Sequence, residues 1–169
     1  MNATQFVHLQ VAEARGLNNA AMAGVTDEQF NWLPPGTINP IKSVLLHTVA
    51  GEDLFFQSLL RDRPPLWVTG GWAERIGLAQ APGGGQGWEE ARATELALAP
   101  VLAYAEAVRN ATNEYLARLT DDELDRRVSF FGTDSSVGAV LVRFAAHTAG
   151  HAGEIAAVKG MQGLQGLPF

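Results

Sequence analysis

The stretch that determines the fold is residues 136–159, which read SVGAVLVRFAAHTAGHAGEIAAVK. Apolar side chains recur in it at alternating spacings of three and four residues, which is the pattern of a helix with one face in a core. We predict a helix that begins near Ser135 or Ser136 and ends at Lys159, with Gly160 in the position that follows the C-cap. The predicted inner stripe is Val137, Leu141, Phe144, Thr148, His151, Ile155 and Val158.

Three other stretches also have helical periodicity. They cover about residues 4–23, 40–60 and 94–119. The second begins with Asn39 as a plausible N-cap and Pro40 at the first helical position, where proline is tolerated. Strand patterns are nearly missing. Four helices with apolar stripes in a chain of this length predict one domain, residues 1–169, folded as an all-α four-helix bundle.

The composition excludes several classes of protein. Apolar residues make up 47% of the chain and charged residues 18%, so the chain can form a core and is not a disordered tail. No apolar run approaches the length of a membrane span, and residues 1–10 lack a signal peptide pattern, so we expect a cytoplasmic protein. The net charge is −6 without a basic cluster, which argues against a nucleic-acid partner. Cysteine is absent, so a transition-metal site would need His, Asp or Glu.

Three of the four histidines are placed to face inward. His147 and His151 are four residues apart, so both imidazoles lie on one face of the last helix, one turn apart, where they can reach the same ion. His47 lies at the edge of the apolar face of the second helix, whereas His8 lies among polar residues and is expected at the surface. The pattern predicts a metal site formed by His47, His147 and His151. The alternative is a set of half-buried histidines with ordinary hydrogen-bond partners.

Two carboxylates occupy core-facing positions, Glu52 on the second helix and Glu154 on the last. A buried carboxylate needs a partner, and metal-bound histidines usually donate their second N–H to a carboxylate, a carbonyl or water. Both are therefore candidates for orienting a ligand histidine. The alternative is an ion pair with Arg143 or Lys159.

The segment from residue 61 to residue 86 is rich in proline and glycine, and we expect an irregular loop there. A loop this long in a small domain is usually functional or mobile, and it is long enough to cross over the bundle. It carries Trp67, Trp72 and Arg75, which together with Arg143 are candidates for bounding a pocket and attracting an anionic substrate or thiol. For the tryptophans, the alternative is ordinary packing on the bundle.

At this point the motifs resemble those of a known family. LLHTVAGED at residues 45–53 and HTAGHAGEI at residues 147–155 are similar to the two metal motifs of the DinB/YfiT-like superfamily of helical metalloproteins. The dipeptides Leu66-Trp67 and Gly71-Trp72 and the closing residues 160–163 also look familial. The resemblance covers essentially the whole chain. Some relatives replace one histidine of the second motif with a carboxylate, whereas this chain keeps both.

The resemblance implies a four-helix bundle with crossover connections and a three-histidine site for a divalent metal, often zinc or nickel. It also implies a homodimer. Characterised relatives include transferases and isomerases that use a low-molecular-weight thiol, bacillithiol or mycothiol, and others are described only as damage- or stress-inducible. The substrate is not fixed by the resemblance.

Three protein ligands leave a coordination position for water or substrate, as in catalytic zinc sites. Our leading hypothesis is therefore a metal-dependent enzyme that transfers a small thiol to a small-molecule substrate, and metal-assisted hydrolysis is the second reaction considered. A chain without cysteine would have to obtain its thiol from a small molecule. The rival hypothesis is a non-enzymatic stress protein with a structural or regulatory ion.

Overall fold

Four long helices form the body of the protein, as the computed structural model shows for residues 1–83 and 85–168. They are α1 (Ala3–Met22), α3 (Ile41–Asp53), α7 (Leu98–Leu116) and α9 (Val137–Met161). The short helix α2 (Asp27–Asn31) joins the first two. The expected all-α bundle is confirmed. No helix in the described part of the chain is both long enough and apolar enough to span a membrane.

The bundle contains one long crossover. Lys42, near the start of α3, donates to the carbonyl of Thr94 just before α7, and Arg61, after α3, reaches the carbonyl of Ala111 in the second half of α7. Helices α3 and α7 therefore run in the same direction. The chain between them must travel back along the bundle. In contrast, α3 and α9 are antiparallel, since His47 lies beside His151 while Phe55 faces Phe144.

The boundaries of the second helix differ from the prediction. Pro40, not Asn39, is the N-cap, and the first helical residue is Ile41. The α-helix ends at Asp53 and continues as a π-helical turn, Leu54–Leu59. The wider π-helical turn buries three consecutive residues, Phe55, Phe56 and Gln57. Such turns often occur at functional sites, and this one borders the site described below.

The third helix is shorter than predicted because residues 94–97 are not helical. Side chains from elsewhere bind the backbone of this break: the amide of Leu96 donates to Asn31 Oδ1 at 2.9 Å, and that of Leu98 donates to Asp27 Oδ1 at 2.8 Å. The residues before the break form a separate helix, α6 (Trp88–Ala93). These bonds come from distant residues, so local periodicity could not reveal the break.

The crossover is more ordered than the predicted loop. It contains two short helices, α4 (Leu66–Thr69) and α5 (Trp72–Ile76), which precede α6. Trp67 and Trp72 are buried, and both rings contact Tyr104 of α7, with centroid distances of 5.4 and 5.3 Å. Packing against α7 therefore orders a segment whose proline and glycine content predicts an irregular loop.

Helix α9 begins as predicted, with Ser136 as its N-cap. It extends past Gly160 to Met161, and Gly163, with φ of 75°, takes the left-handed position expected for Gly160. The short helix α8 (Asp121–Asp125) and an antiparallel hairpin of β1 (Arg127–Phe130) and β2 (Thr133–Ser136) precede α9. This hairpin departs from the expectation of almost no strand. Its strands have only four residues each, too few for a clear alternation.

Buried apolar side chains form two clusters at the two ends of the bundle. The first includes Ile41, Leu45, Tyr104 and Ile155, and the second includes Phe56, Leu141 and Phe144. Burying each of these side chains contributes about 1.5–3 kcal/mol. Along α9, His147 and His151 come after Phe144 of the second cluster and before Ala152 of the first. The histidines therefore lie where the two clusters meet.

Candidate metal centre

Helices α3 and α9 bring three histidines together. His47 comes from α3, and His147 and His151 come from adjacent turns of α9. One nitrogen from each ring lies within 4.8 Å of the other two, and all three residues are half-buried. The centroids of the rings are 4.5–4.9 Å apart. A single ion could reach all three imidazoles.

Hydrogen bonds orient two of these rings. His47 Nδ1 lies 2.9 Å from the carbonyl oxygen of Pro82, which can only accept, so Nδ1 carries the proton. His151 Nδ1 lies 2.8 Å from Glu154 Oε2 and donates to it in the same way. In both rings the Nε2 lone pair is left for another partner. A carboxylate or carbonyl on the remote nitrogen is the usual arrangement of metal-bound histidine.

The third ring is held mainly by packing. His147 Nε2 lies 3.0 Å from His47 Nε2, and the centroid of the Phe55 ring lies 6.0 Å from that of the His147 ring. Gly51 lies directly against the imidazole: a Cβ at position 51 would be 2.9 Å from His147 Cε1, closer than side chains normally approach. His147 Nδ1 is buried and has no hydrogen-bond partner among the described residues. The absence of a side chain at Gly51 therefore makes the space that His147 occupies.

Burial, together with repulsion between the rings, favours the neutral forms of His147 and His47. Burial, with further contributions from His151 and His47, lowers the pKa of His147 to about 4. Burial also lowers the pKa of His47, with an opposing effect from its bond to Pro82. A histidine must be neutral to bind a metal through its lone pair. The site therefore holds these two imidazoles ready for a metal at neutral pH.

The donor set fits a divalent transition metal. Imidazole suits zinc, nickel and copper, and a tetrahedral ion with bonds of about 2.0–2.1 Å holds its nitrogens roughly 3.3 Å apart. The separation of 3.0 Å between His47 Nε2 and His147 Nε2 is close to this value. All three histidines offer a nitrogen within 4.8 Å of the other two, so the residues present fit one such ion.

A cavity of about 790 Å³ opens beside the cluster, and His47 and His147 form part of its wall. Most of the wall is apolar. The aromatic side chains that contribute to it are Phe55, Trp67, Tyr104, Phe130 and Phe131. A volume of this size suits a small organic molecule. The histidines therefore face a space in which a substrate could approach them.

Comparison with known proteins identifies the family. The family model of the DinB superfamily matches residues 10–155, which is most of the chain. This chain belongs to the DinB superfamily. A crystal structure described as a conserved protein from Enterococcus faecalis is similar to it, with a TM-score of 0.76 and 20% sequence identity, over 94% of this chain and 96% of that one. At this identity the likeness shows the fold alone. No curated protein matched the chain.

The two candidate carboxylates of this DinB protein have different roles. Glu154 contacts His151, as described above, and not Arg143 or Lys159. Glu52 is buried but forms an ion pair with Arg15 of α1, and it makes no hydrogen bond to a histidine within the described residues. The expectation that Glu52 orients a ligand is therefore wrong. Helical spacing does not indicate Arg15 as its partner, because the contact joins two helices that are distant in sequence.

Only two of the four residues expected to bound the pocket line the cavity. Trp67 and Arg143 line the cavity, whereas Trp72 and Arg75 are not part of its wall. Trp72 is buried against Tyr104, and the guanidinium of Arg75 lies 3.6 Å from the centre of the Trp72 ring, on its face. For Trp72 the packing alternative is thus the observed one. Arg75 is directed to this tryptophan rather than to the cavity.

Sequence reasoning missed several residues of the site, among them Trp88 and Asp53. The ring of Trp88 packs against that of His47 with a centroid distance of 4.7 Å and a tilt of 41° between the ring planes. Asp53 lies on the wall of the cavity and accepts hydrogen bonds from the amides of Leu66 and Trp67 and from the hydroxyl of Tyr104, at 2.9, 2.8 and 2.7 Å. The available signal for Asp53 was its place in the first histidine motif, directly after Glu52. His8 is exposed on α1, as expected.

Proposed function

We propose that this DinB protein is a metal-dependent enzyme in which His47, His147 and His151 hold one divalent transition metal, zinc or nickel. The observation that carries the proposal is a cluster of three imidazoles, of which two, those of His47 and His147, form part of the wall of a substrate-sized cavity. A purely structural ion would be expected in a closed site with four protein ligands. The open side of this cluster favours catalysis over a structural or regulatory role.

We further propose that the reaction is transfer of a low-molecular-weight thiol. An ion bound by neutral ligands keeps its full charge, so it would lower the pKa of a thiol and make the thiolate available as a nucleophile. The chain has no cysteine, so the sulfur must come from a small molecule of the bacillithiol or mycothiol kind. The same site could activate water, which makes hydrolysis the competing reaction.

The protein's own residues have defined tasks in this proposal. Pro82 and Glu154 hold the rings of His47 and His151 so that each Nε2 faces the cluster. Gly51 makes room for His147. Phe55 and Trp67 give the adjacent wall an apolar surface that limits water near the reacting atoms. None of these side chains has to attack the substrate.

Titration of the cobalt-substituted protein with bacillithiol or a related small thiol tests the proposal. We expect a sulfur-to-cobalt charge-transfer band in the wild type and none in His151→Ala. His8→Ala is the matched control, because this histidine is exposed on α1 and should leave the band unchanged. If no band appears at millimolar thiol while cobalt is in place, the thiol-transfer proposal is wrong, and a non-enzymatic metal-binding protein becomes the better hypothesis.

Two further properties belong to this proposal. We propose a homodimer, because large apolar side chains are exposed on the outer helices, among them Phe6 and Leu9 of α1 and Val142 of α9. We also propose a cytoplasmic location, where small thiols are kept reduced. Sedimentation of the purified protein at micromolar concentration tests the first, and a monomer under those conditions would contradict it.

A further inference from the structure

The hairpin turn beside the cavity is built from an unfavourable residue. Phe131 and Gly132 connect the two strands with φ values of 49° and 81°. A turn with two positive φ angles strongly prefers Asn-Gly, because bulky side chains are strained in the left-handed region. Phe131 is nonetheless 67% exposed, so burial in the core does not repay this strain. Its position in the wall of the cavity offers a reason for an aromatic side chain here.

The aromatic side chains form a continuous path from this turn to the histidines. The ring of Phe131 contacts that of Phe130 with a centroid distance of 4.7 Å, Phe130 lies 5.4 Å from Phe55, and Phe55 lies 6.0 Å from His147. Trp67 contributes to the wall of the same cavity, and Asp53 fixes it there through its backbone amide. The cavity is thus mostly apolar, and the hairpin forms part of its rim.

One cation lies on this rim. Arg143 is the only lysine or arginine among the described residues that line the cavity. Its guanidinium lies 4.9 Å from the centre of the Phe130 ring, and its hydrogen bond, to Ser135 Oγ, is long at 3.4 Å. It makes no ion pair within the described part of the chain, although the protein is acidic overall. The acidic residue on the wall, Asp53, is already occupied by three donors.

From this arrangement we infer that the cavity binds a small organic anion with an apolar body, its anionic group at Arg143 and its apolar part against Phe131 and Phe130. The inference rests on the proposed function, because it takes the histidine cluster as the reacting end of the cavity. Arg143 is four residues before His147, so one helical turn, about 6 Å, separates the two along α9. A carboxylate joined to its reacting atom by a few carbons fits this spacing.

Calorimetric titration with 4-phenylbutyrate, compared with its neutral amide, 4-phenylbutanamide, tests the inference. In the wild type we expect the carboxylate to bind about fivefold more tightly than the amide, which is the size of one partly exposed charged contact. Arg143→Met should remove this preference and leave amide binding nearly unchanged. Arg118→Met, at an exposed arginine of the segment after α7, is the matched control and should change nothing.

The second arm concerns the turn. Phe131→Asn introduces the preferred turn sequence, so we expect the melting temperature to stay the same or rise by about 1–3 °C. Binding of both probes should nevertheless weaken by about threefold to tenfold, since an aromatic contact is lost. Phe6→Asn, at an exposed phenylalanine of α1, should leave binding unchanged. A lower melting temperature in Phe131→Asn would show a structural role for this side chain and overturn the inference.

Measurements on the same samples distinguish anion binding at Arg143 from anion binding at the histidine cluster. Metal content is measured for each, and the titrations are repeated after treatment with EDTA. If the carboxylate preference disappears with EDTA but survives in Arg143→Met, the anion binds at the histidines and the inference is wrong. It is also wrong if neither probe binds the wild type at millimolar concentration. A preference that depends on Arg143 and persists after EDTA treatment would support the inference, whereas failure of the purified protein to take up any metal would contradict the proposed metal-dependent function alone.

Discussion

Replacing Gly51 by alanine should damage the histidine cluster while leaving the fold intact. The new methyl group would lie 2.9 Å from His147 Cε1 and 3.7 Å from His147 Nε2, so the imidazole must move by several tenths of an ångström or more. His147 is half-buried at the cavity wall and can swing away. We therefore expect metal affinity to fall by about 10–100-fold, as when a residue that positions a ligand is changed.

The effect of Gly51→Ala on stability separates packing from helix propensity. Alanine in mid-helix gains about 1 kcal/mol over glycine, whereas an overpacked contact costs about 1–3 kcal/mol. The free energy of unfolding without metal should therefore change by at most about 2 kcal/mol. Gly150→Ala on α9 is the matched control, because no atom other than its chain neighbours and the backbone of its own helix lies within 4 Å of the position that its methyl group would take. It should gain about 1 kcal/mol and keep its metal affinity.

Both quantities are measurable on the same preparations, the first by competition with a zinc-binding dye and the second by urea unfolding in EDTA. If Gly51→Ala binds zinc as tightly as the wild type and is stabilised as much as Gly150→Ala, the reasoning is refuted. Such a result would mean that His147 does not need the position described here to hold the ion.

Three other perturbations have defined outcomes. In EDTA, the free energy of unfolding measured with urea should keep its full value above about pH 6.5 and fall as the pH drops toward 4. The reason is that the unfolded chain takes up a proton at the usual histidine pKa, whereas folded His147 takes one up only near pH 4. A flat profile over this interval would contradict the lowered pKa of His147. Asp53→Asn removes an anionic acceptor that Leu66, Trp67 and Tyr104 share. The free energy of unfolding, measured by thermal unfolding, should therefore fall by about 2–3 kcal/mol, and tryptophan fluorescence should shift to the red. An unchanged protein would show that α4 is anchored by other contacts. Glu154→Gln should lower zinc affinity about tenfold or more with little loss of stability. Glu52→Gln should lower the free energy of unfolding by about 3 kcal/mol, because Arg15 loses its ion pair, and should leave zinc affinity unchanged. The reverse result would exchange the roles of these two carboxylates.

The sequence was sufficient for the main helices because their periodicity reflects burial directly. In the last helix, Val137, Leu141, Phe144 and Ile155 are all buried, as their spacing predicted. Boundaries were less accurate where distant groups compete with local preference. The break before α7 is held by Asn31 and Asp27, and no pattern within residues 94–97 reveals such partners.

The candidate site was predictable to the extent that it depends on helical spacing. One turn separates His147 from His151, and the structure brings His47 beside them. Residues that depend on the path of the crossover were not predictable. Trp88 packs against His47, and the carbonyl of Pro82 accepts from the same ring, only because the segment returns along the bundle. Glu52 was misassigned because its stripe position indicates burial but does not indicate which side chain it meets.

The most direct test of the central claim is the metal content of purified wild-type protein and of its four single histidine-to-alanine variants, measured by elemental analysis after loading with zinc and removal of excess. We predict about one ion per chain in the wild type and in His8→Ala, and a small fraction of that in His47→Ala, His147→Ala and His151→Ala, because each of these three supplies one nitrogen to the cluster. Equal occupancy in all five proteins, or no bound ion in the wild type, would contradict the claim that these three histidines form a metal centre.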